Sequence, residues 1–367
     1  MSERVQAIDV LRGLTLALMI TVNRSIDEAS YSQLLHAQWF GLTLTDLVFP
    51  TFLFVVGNAL SLTLERNQQL GDRAVLLRIA RRVALIFLCG YLLYWFPFLQ
   101  TDASGHWMLQ PIRGTRVLGV LQRIALCYGT AALILHYGGK RGAWIYGLLV
   151  LPAYWVVLQL FGDLTLTGNA VLRLDRALLG EAHLYRGDGV PFDPEGLLST
   201  APAVVNVLAG YLAGSLLRTK GRTFETLTRL LLAGGACIVV GLGWSAMFPI
   251  CKNLWTSSYV MCTIGVDLYA LALLVYCIDL KGQRGWAQGF EVLGRNTLFI
   301  YLLSEMGNTL MNLIRVHGQD LFTWIYERGF HPWAGAANGA LLYALAYLLC
   351  CWMVAWWLDR RRIYIRL

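Results

Sequence analysis

Residues 35–57 read LHAQWFGLTLTDLVFPTFLFVVG. A polar opening with a histidine, a tryptophan and an aspartate runs into an apolar stretch that carries no further charge until Glu65. A membrane-spanning helix needs about 20 predominantly apolar residues at a rise of about 1.5 Å each, and residues 43–64 meet that requirement. Such a span leaves His36 just outside the membrane and sets Asp46 in its mouth. Thr43 and Asp46 form the T-x-x-D pattern of a helix start, where each side chain satisfies an orphan backbone donor. Asp46 therefore reads either as that cap or as a partner of the imidazole. Pro50 has no N–H, so the carbonyl of Asp46, four residues back, loses its helical partner and the helix bends. Spare polar groups at a bend line a cavity more readily than they face lipid.

The same pattern recurs along the chain. Its 367 residues are 57% hydrophobic and 14% charged, with a mean hydropathy of +0.55, whereas a soluble domain carries about 25% charged residues. Ten candidate spans follow, at 8–23, 43–64, 83–99, 117–136, 143–161, 201–217, 229–249, 258–279, 296–314 and 336–358. With the N-terminus inside, the inner segments are 1–12, 65–82, 137–142, 218–229, 280–295 and 359–367. They hold 20 of the 30 Lys and Arg residues, the outer segments hold 9, and Arg123 lies within a span. Basic residues concentrate in short cytoplasmic loops, so both termini are expected in the cytoplasm. The fold class is an all-α, polytopic transmembrane helix bundle in one domain, 1–367. The opening has Arg12 within it and no small-residue cleavage site after its apolar run, which reads as a retained first helix.

The net charge of +8 sits in those loops, which argues against a nucleic-acid partner. Eight cysteines lie mostly inside apolar runs without a C-x-x-C pair. They read as small core residues, with Cys251 expected to meet solvent and no metal site expected. The extracytoplasmic loop 162–200 stands apart by its length. It holds the amphipathic VLRLDRALLGEAHLY (171–185) and the turn-rich RGDGVPFDPEG (186–196), the make-up of a lid or binding element.

Asn23 ends the first span, so an amide donor and the His36 imidazole share the outer face. A neutral histidine accepts a proton near pH 7, and an asparagine amide stabilises a developing oxyanion. Together they fit a minimal acyl-transfer site and equally a sugar-binding pocket; His36 alone also reads as a solvated interfacial side chain. Trp39 suits an interfacial anchor or a platform for stacking a sugar. Ionisable groups within spans face a cavity or one another. Arg123 thus reads as a partner of Asp46 or as a holder of an anionic ligand group, and Asp267 and Glu305 as a buried pair or a proton path.

Six blocks, IDVLRGLTLALMITVN (8–23), LHAQWFGLTLTDLVFPTFLFVVG (35–57), RVLGVLQRIALCY (116–128), FDPEGLLSTAPAVVNVLAGYLAG (192–214), KNLWTSSYV (252–260) and LGRNTLFIYLLSE (293–305), occur in this order. Together they resemble the heparan-α-glucosaminide N-acetyltransferase family of transmembrane acyltransferases, in a compact bacterial-type form. The resemblance implies a multi-pass enzyme of the bacterial inner membrane and a homodimer. It further implies transfer of acetyl from cytoplasmic acetyl-CoA to the amine of a glucosamine-type sugar on the extracytoplasmic side. It carries the active histidine over to His36 and its partner asparagine to Asn23, with Asp46 orienting His36 or capping its helix. The family's larger members have a long N-terminal extra-membrane region that this sequence lacks, so a small amino sugar or glycan fragment is the expected acceptor.

Acetyl-CoA is polyanionic and lies on the opposite side from His36, so a tunnel through the bundle is expected, with the phosphates at a basic inner rim. Arg12, Arg78, Arg81, Arg82 and Arg295 are the rim candidates, and each also reads as topology-setting loop charge. Trp39, Arg123, Glu195 and Asn253 are expected on the acceptor side. No Gly-rich phosphate loop is present. The rival readings are an amino-sugar or glycan transporter, against which the absence of paired repeats counts, an enzyme that O-acetylates a glycan or moves a longer acyl chain, and a scaffold for another membrane enzyme.

Overall fold

A chain with so little charge satisfies its backbone polar groups most completely inside helices. The computed structural model describes residues 5–26, 29–67, 71–101, 106–187 and 189–365. Residues 1–4, 68–70 and 366–367 of the expected inner segments, and Asp188 of the long outer loop, lie outside these. The helices are α1 (Gln6–Val22), α2 (Leu44–Asn67), α3 (Asp72–Trp95), α4 (Val120–Leu160), α5 (Ala170–Leu179), α6 (Leu197–Lys220) and α7 (Phe224–Ser245). They continue with α8 (Ser257–Leu274), α9 (Ala287–Arg295), α10 (Thr297–Leu313), the short α11 (Leu321–Ile325) and α12 (His331–Ala334), and α13 (Ala336–Arg360). Two small antiparallel hairpins, β1 (Leu99–Thr101) with β2 (Trp107–Leu109) and β3 (Arg315–Val316) with β4 (Gln319–Asp320), sit between them.

Among the described residues, six helices are long and apolar enough to cross a membrane: α2, α4, α6, α7, α8 and α13. One of them is two segments in sequence. At Gly139 (φ 55°) the regular helix of α4 breaks, a backbone conformation that glycine adopts without penalty. The chain doubles back there, because both halves reach the same turn of α6. Cys127 Sγ lies 3.8 Å from the Thr200 carbonyl and Tyr146 Oη donates to the Ala201 carbonyl at 3.1 Å. This matches the short connection expected at 137–142.

Helices α2, α6 and α8 form the centre. The most apolar stretch of α6 is 67% buried, against 22% for α4 and 28% for α7 and α13. Outward-facing Leu148, Leu149, Leu160, Leu232 and Val239 stand exposed on the outer helices, as a lipid-facing surface requires. Small residues let the central backbones touch. A Cβ on Gly57 would lie 1.8 Å from the Val207 carbonyl oxygen, and one on Gly210 1.9 Å from that of Phe54, so α2 and α6 interlock backbone to backbone. Gly13 and Gly294 do the same for α1 and α9.

The long outer loop, expected as a lid or binding element and called the lid below, is a packed element. Asn169 caps α5 by accepting from Leu172 N at 2.8 Å, as its Asn predicts. Val171, Leu172, Leu184 and Phe192 form a second apolar core with Tyr154, Leu158, Phe248, Cys251 and Leu254. Cys251, expected at solvent, is fully buried here because the lid covers it. Burial pushes its thiol up to about 12. Cys350 is the exposed cysteine. Asp175 of α5 accepts from Leu197 N at 3.0 Å and so caps the start of α6.

Candidate functional site

His36 lies in the loop before α2, with 54% of its side chain exposed, while Asp46 beneath it is 1% exposed. The two oxygens of Asp46 divide the work. Oδ1 lies 2.8 Å from His36 Nδ1. Oδ2 accepts from Ala37 N (3.1 Å), Thr43 N (3.0 Å) and Thr43 Oγ1 (2.9 Å). Both sequence readings of this residue therefore hold at once. A carboxylate only accepts, so the shared proton sits on Nδ1 and the lone pair of a neutral ring is on Nε2. The Asp46 carbonyl left over by Pro50 accepts from Tyr259 Oη of α8 at 2.6 Å.

Lys252 completes this group. Its ammonium lies 3.0 Å from both ring nitrogens of His36 and 3.9 Å from Asp46 Oδ1. The Gly41 N to Ile250 O bond (2.9 Å) ties the two loops together. Lys252 opens a tight turn closed by Trp255 N to Lys252 O at 2.9 Å, in which Trp255 holds φ at 52°. That conformation is strained for a bulky residue. The buried indole holds it by donating to Asn206 Oδ1 (3.2 Å), with the Arg123 guanidinium 4.8 Å from its ring centroid. Asn253 follows in the turn, half-buried.

A second polar group lies under the lid. Arg116 donates to Asp193 through Nε (2.9 Å) and Nη2 (2.6 Å) and also to Glu195, with the Tyr94 and Tyr185 rings beside its guanidinium. Burial works against the Glu195 charge, but Arg116, Arg123 and Lys252 outweigh it and hold the carboxyl below its usual range. Glu195 thus stands electrostatically between the His36 group and the Arg116 group. Arg123 does not pair with Asp46. It donates to the Gly196 carbonyl (3.0 Å) and to Ser199 Oγ, which hold it at the junction of the long outer loop with α6. Trp39 gives its indole N–H to the Leu164 carbonyl at 2.7 Å and packs on Phe192, so it anchors the lid.

Asn23 and His36 are held by different partners. Asn23 Nδ2 donates to Glu305 Oε1 at 3.1 Å, and Arg24 bonds the same oxygen at 3.1 Å. Glu305 is therefore engaged at α1, while Asp267 accepts from Thr51 Oγ1 at 2.5 Å; the two acids do not pair with each other. Among the described residues no cluster of His, Cys, Asp or Glu is arranged to hold a metal ion.

At the opposite end of α2 lies a cavity of about 390 Å³. Val55, Val56, Ala59, Ile86 and Leu121 form its walls, and Arg12, Arg82 and Arg295 stand at its edge. Arg78 and Arg81 are exposed on α3 and do not line it. Arg82 lies over the Tyr128 ring at 4.7 Å, and its Nε has no hydrogen-bond partner among the described residues. Beside the cavity, between Leu121 and Gly90, the buried amide of Gln122 has both polar atoms without a partner. The lining reaches Phe52, about 9 Å short of Asp46 along the helix, so this cavity by itself does not extend to His36 as the expected tunnel would. A further hollow of about 430 Å³ between α4, α6, α7 and α8 is almost wholly apolar and lies apart from these groups.

The residues missed from sequence are Lys252, Arg116 and Tyr259. Lys252 and Arg116 read as outer-loop charge, and only the block KNLW hinted that the first had company.

A family model described as heparan-alpha-glucosaminide N-acetyltransferase, catalytic, matches residues 4–243. The chain is 29% identical to the heparan-alpha-glucosaminide N-acetyltransferase of Homo sapiens, over 83% of this chain and 53% of that protein. For the Mus musculus protein of the same name the identity is 28%, over 83% and 54%. The chain thus spans about half the length of the curated relatives it matches. The matched residues run from α1 into α7 and take in His36, Asp46, the lid and most of the cavity wall, and by that match the chain belongs to the heparan-alpha-glucosaminide N-acetyltransferase family.

Proposed function

We propose that this protein is a transmembrane acetyltransferase that takes acetyl from acetyl-CoA at its basic end and delivers it to the amine of a glucosamine-type sugar at the His36 end. One observation carries the reading: a single helix, α2, carries at one end Asp46, the partner of His36 in the preceding loop, and lines an arginine-edged cavity toward the other. The family relationship supports it. Counting α4 as two segments and adding α1, α3 and α10 gives ten crossings, with both termini on the basic, cytoplasmic side of a bacterial inner membrane. Arg12, Arg82 and Arg295 would face the phosphates and the apolar walls the pantetheine arm. The unpartnered Arg82 Nε at the cavity suits such a ligand, which brings anionic groups. Arg78 and Arg81 are assigned to topology.

Acetyl-CoA supplies a thioester already activated for transfer. His36 Nε2 removes the proton from the acceptor amine, and Asp46 keeps that nitrogen free and the ring in place. Asn23 is assigned as a donor toward the developing oxyanion once its amide turns from Glu305; Asn23→Ala then costs roughly 10²–10³ in turnover, and a loss of a few fold makes it an orienting residue for Arg24 and Glu305. Glu195, Asn253, Trp39 and Arg123 shape the acceptor side, the last two by holding the lid and the Trp255 turn. Transfer requires the acyl end of the donor to pass Phe52.

The test is purified protein in proteoliposomes with labelled glucosamine, with and without acetyl-CoA, and mass spectrometry of the products. Acetyl-CoA-dependent N-acetylglucosamine is the expected result. Saturable uptake of unmodified sugar without acetyl-CoA overturns the reading in favour of transport, and acetylation of N-blocked sugars transfers it to a hydroxyl.

A further inference from the structure

We propose that Lys252 is a catalytic residue of the transfer, the fixed cation that stabilises the tetrahedral oxyanion beside His36. The inference rests on the acetyltransferase reading above. Its ground is position. An ammonium 3.0 Å from both Nδ1 and Nε2 sits on the plane that bisects the ring. It is also 3.9 Å from Asp46 Oδ1, which offsets its charge, and its side chain is 16% exposed, so the charge is little screened by water. Groups of this kind, aimed where negative charge develops and already in place before reaction, give the largest single contribution to many acyl transfers.

The step balances without any other reactant. The acceptor nitrogen forms a bond to the thioester carbonyl carbon while Nε2 of His36 takes its proton, and the carbonyl electron pair moves onto oxygen. Lys252 faces that oxygen as a cation and neither gains nor loses a proton. The pair then returns, the C–S bond breaks, and the electrons leave with the thiolate of CoA. The same ammonium disfavours an incoming protonated amine through like-charge repulsion, so the acceptor binds as the free base that can attack.

The turn that carries Lys252 is built for placement. It is pinned by the Gly41–Ile250 bond and by the strained, buried Trp255, and it rests on the lid core through Cys251 and Leu254. A lysine needed only to set topology requires none of this.

The experiment compares wild type with Lys252→Met, Lys252→Gln and Lys252→Arg in the purified protein, measuring kcat, the KM for acetyl-CoA and the Kd for CoA. Loss of the cation is expected to lower kcat by roughly 10²–10³ with the CoA Kd unchanged, and the arginine variant should recover at least about tenfold of that loss. Turnover of the methionine variant within about threefold of wild type, or a loss confined to the acetyl-CoA KM, overturns the role. If the methionine variant does not fold, equal turnover of the glutamine and arginine variants overturns it instead. Wild-type protein without acetyltransferase activity refutes the function itself, a result distinguishable from either.

Discussion

His36→Ala removes the nitrogen assigned as base, and acetyl transfer is expected to fall by roughly 10²–10⁴ or below detection. The CoA Kd, which the proposed function sets at the other end of α2, should not change; full activity in that variant removes the base. A second residue-scale contrast separates the two roles given to the basic side chains. Arg82 lines the cavity and Arg81 does not, so Arg82→Gln should raise the acetyl-CoA KM several fold while Arg81→Gln leaves it within error. Equal effects return both to topology. The His36–Asp46 pair was legible because its signals are local: ten residues separate the partners, and T-x-x-D marks a helix start with any fold around it. Lys252 was not legible. It stands 216 residues from His36 in sequence, and in an outer loop a lysine beside a pocket is indistinguishable from one that faces water.

At the scale of elements, the bend in α2 and the joint between α5 and α6 each carry a measurable consequence. Tyr259→Phe leaves the Asp46 carbonyl buried without its donor. It should cost about 1–3 kcal/mol of stability and lower kcat, because the same residue orients His36; unchanged melting and turnover would show that water replaces the hydroxyl. Asp175 titrates in a useful window. Burial is the main cause that lifts its carboxyl to about 6, with the Asp193 charge adding to it and the Leu197 N–H and Arg123 opposing. The folded protein therefore keeps a proton that the unfolded chain has already released near pH 4, and stability falls as pH rises from about 4 through 6. Asp175→Asn removes this dependence. Its melting temperature relative to wild type should climb across that interval by the equivalent of on the order of 3 kcal/mol; parallel curves would place the carboxyl at its ordinary value. The six long apolar helices, the reversal at 137–142 and the freed carbonyl at Pro50 were readable because periodicity and proline chemistry act within a helix turn or two. That Tyr259 answers the carbonyl was not, since helix pairing is decided by side-chain fit between distant segments.

For the molecule as a whole, the interlock of α2 and α6 predicts sharp sensitivity at its centre. Gly210→Ala sets a methyl 1.9 Å from the Phe54 carbonyl oxygen and should destabilise by about 3 kcal/mol, the upper end of overpacking costs, or abolish folded yield. Gly243→Ala on α7 meets open space and should be neutral; similar yields of folded protein from both would mean that the crossing adjusts. Composition reveals the helical architecture with its long apolar helices, since it follows from the cost of charge in hydrocarbon. The cavity and its extent were hidden, as they are properties of the space between helices.

The apolar core beneath the lid, where Phe192 and Leu184 meet Cys251 and Leu254, also seats the turn that positions the ammonium. Under the proposed function, breadth of acceptor choice and speed therefore draw on the same mortar. A lineage that loosened it to admit bulkier sugars would blunt its own chemistry, and one that tightened it for rate would narrow its diet.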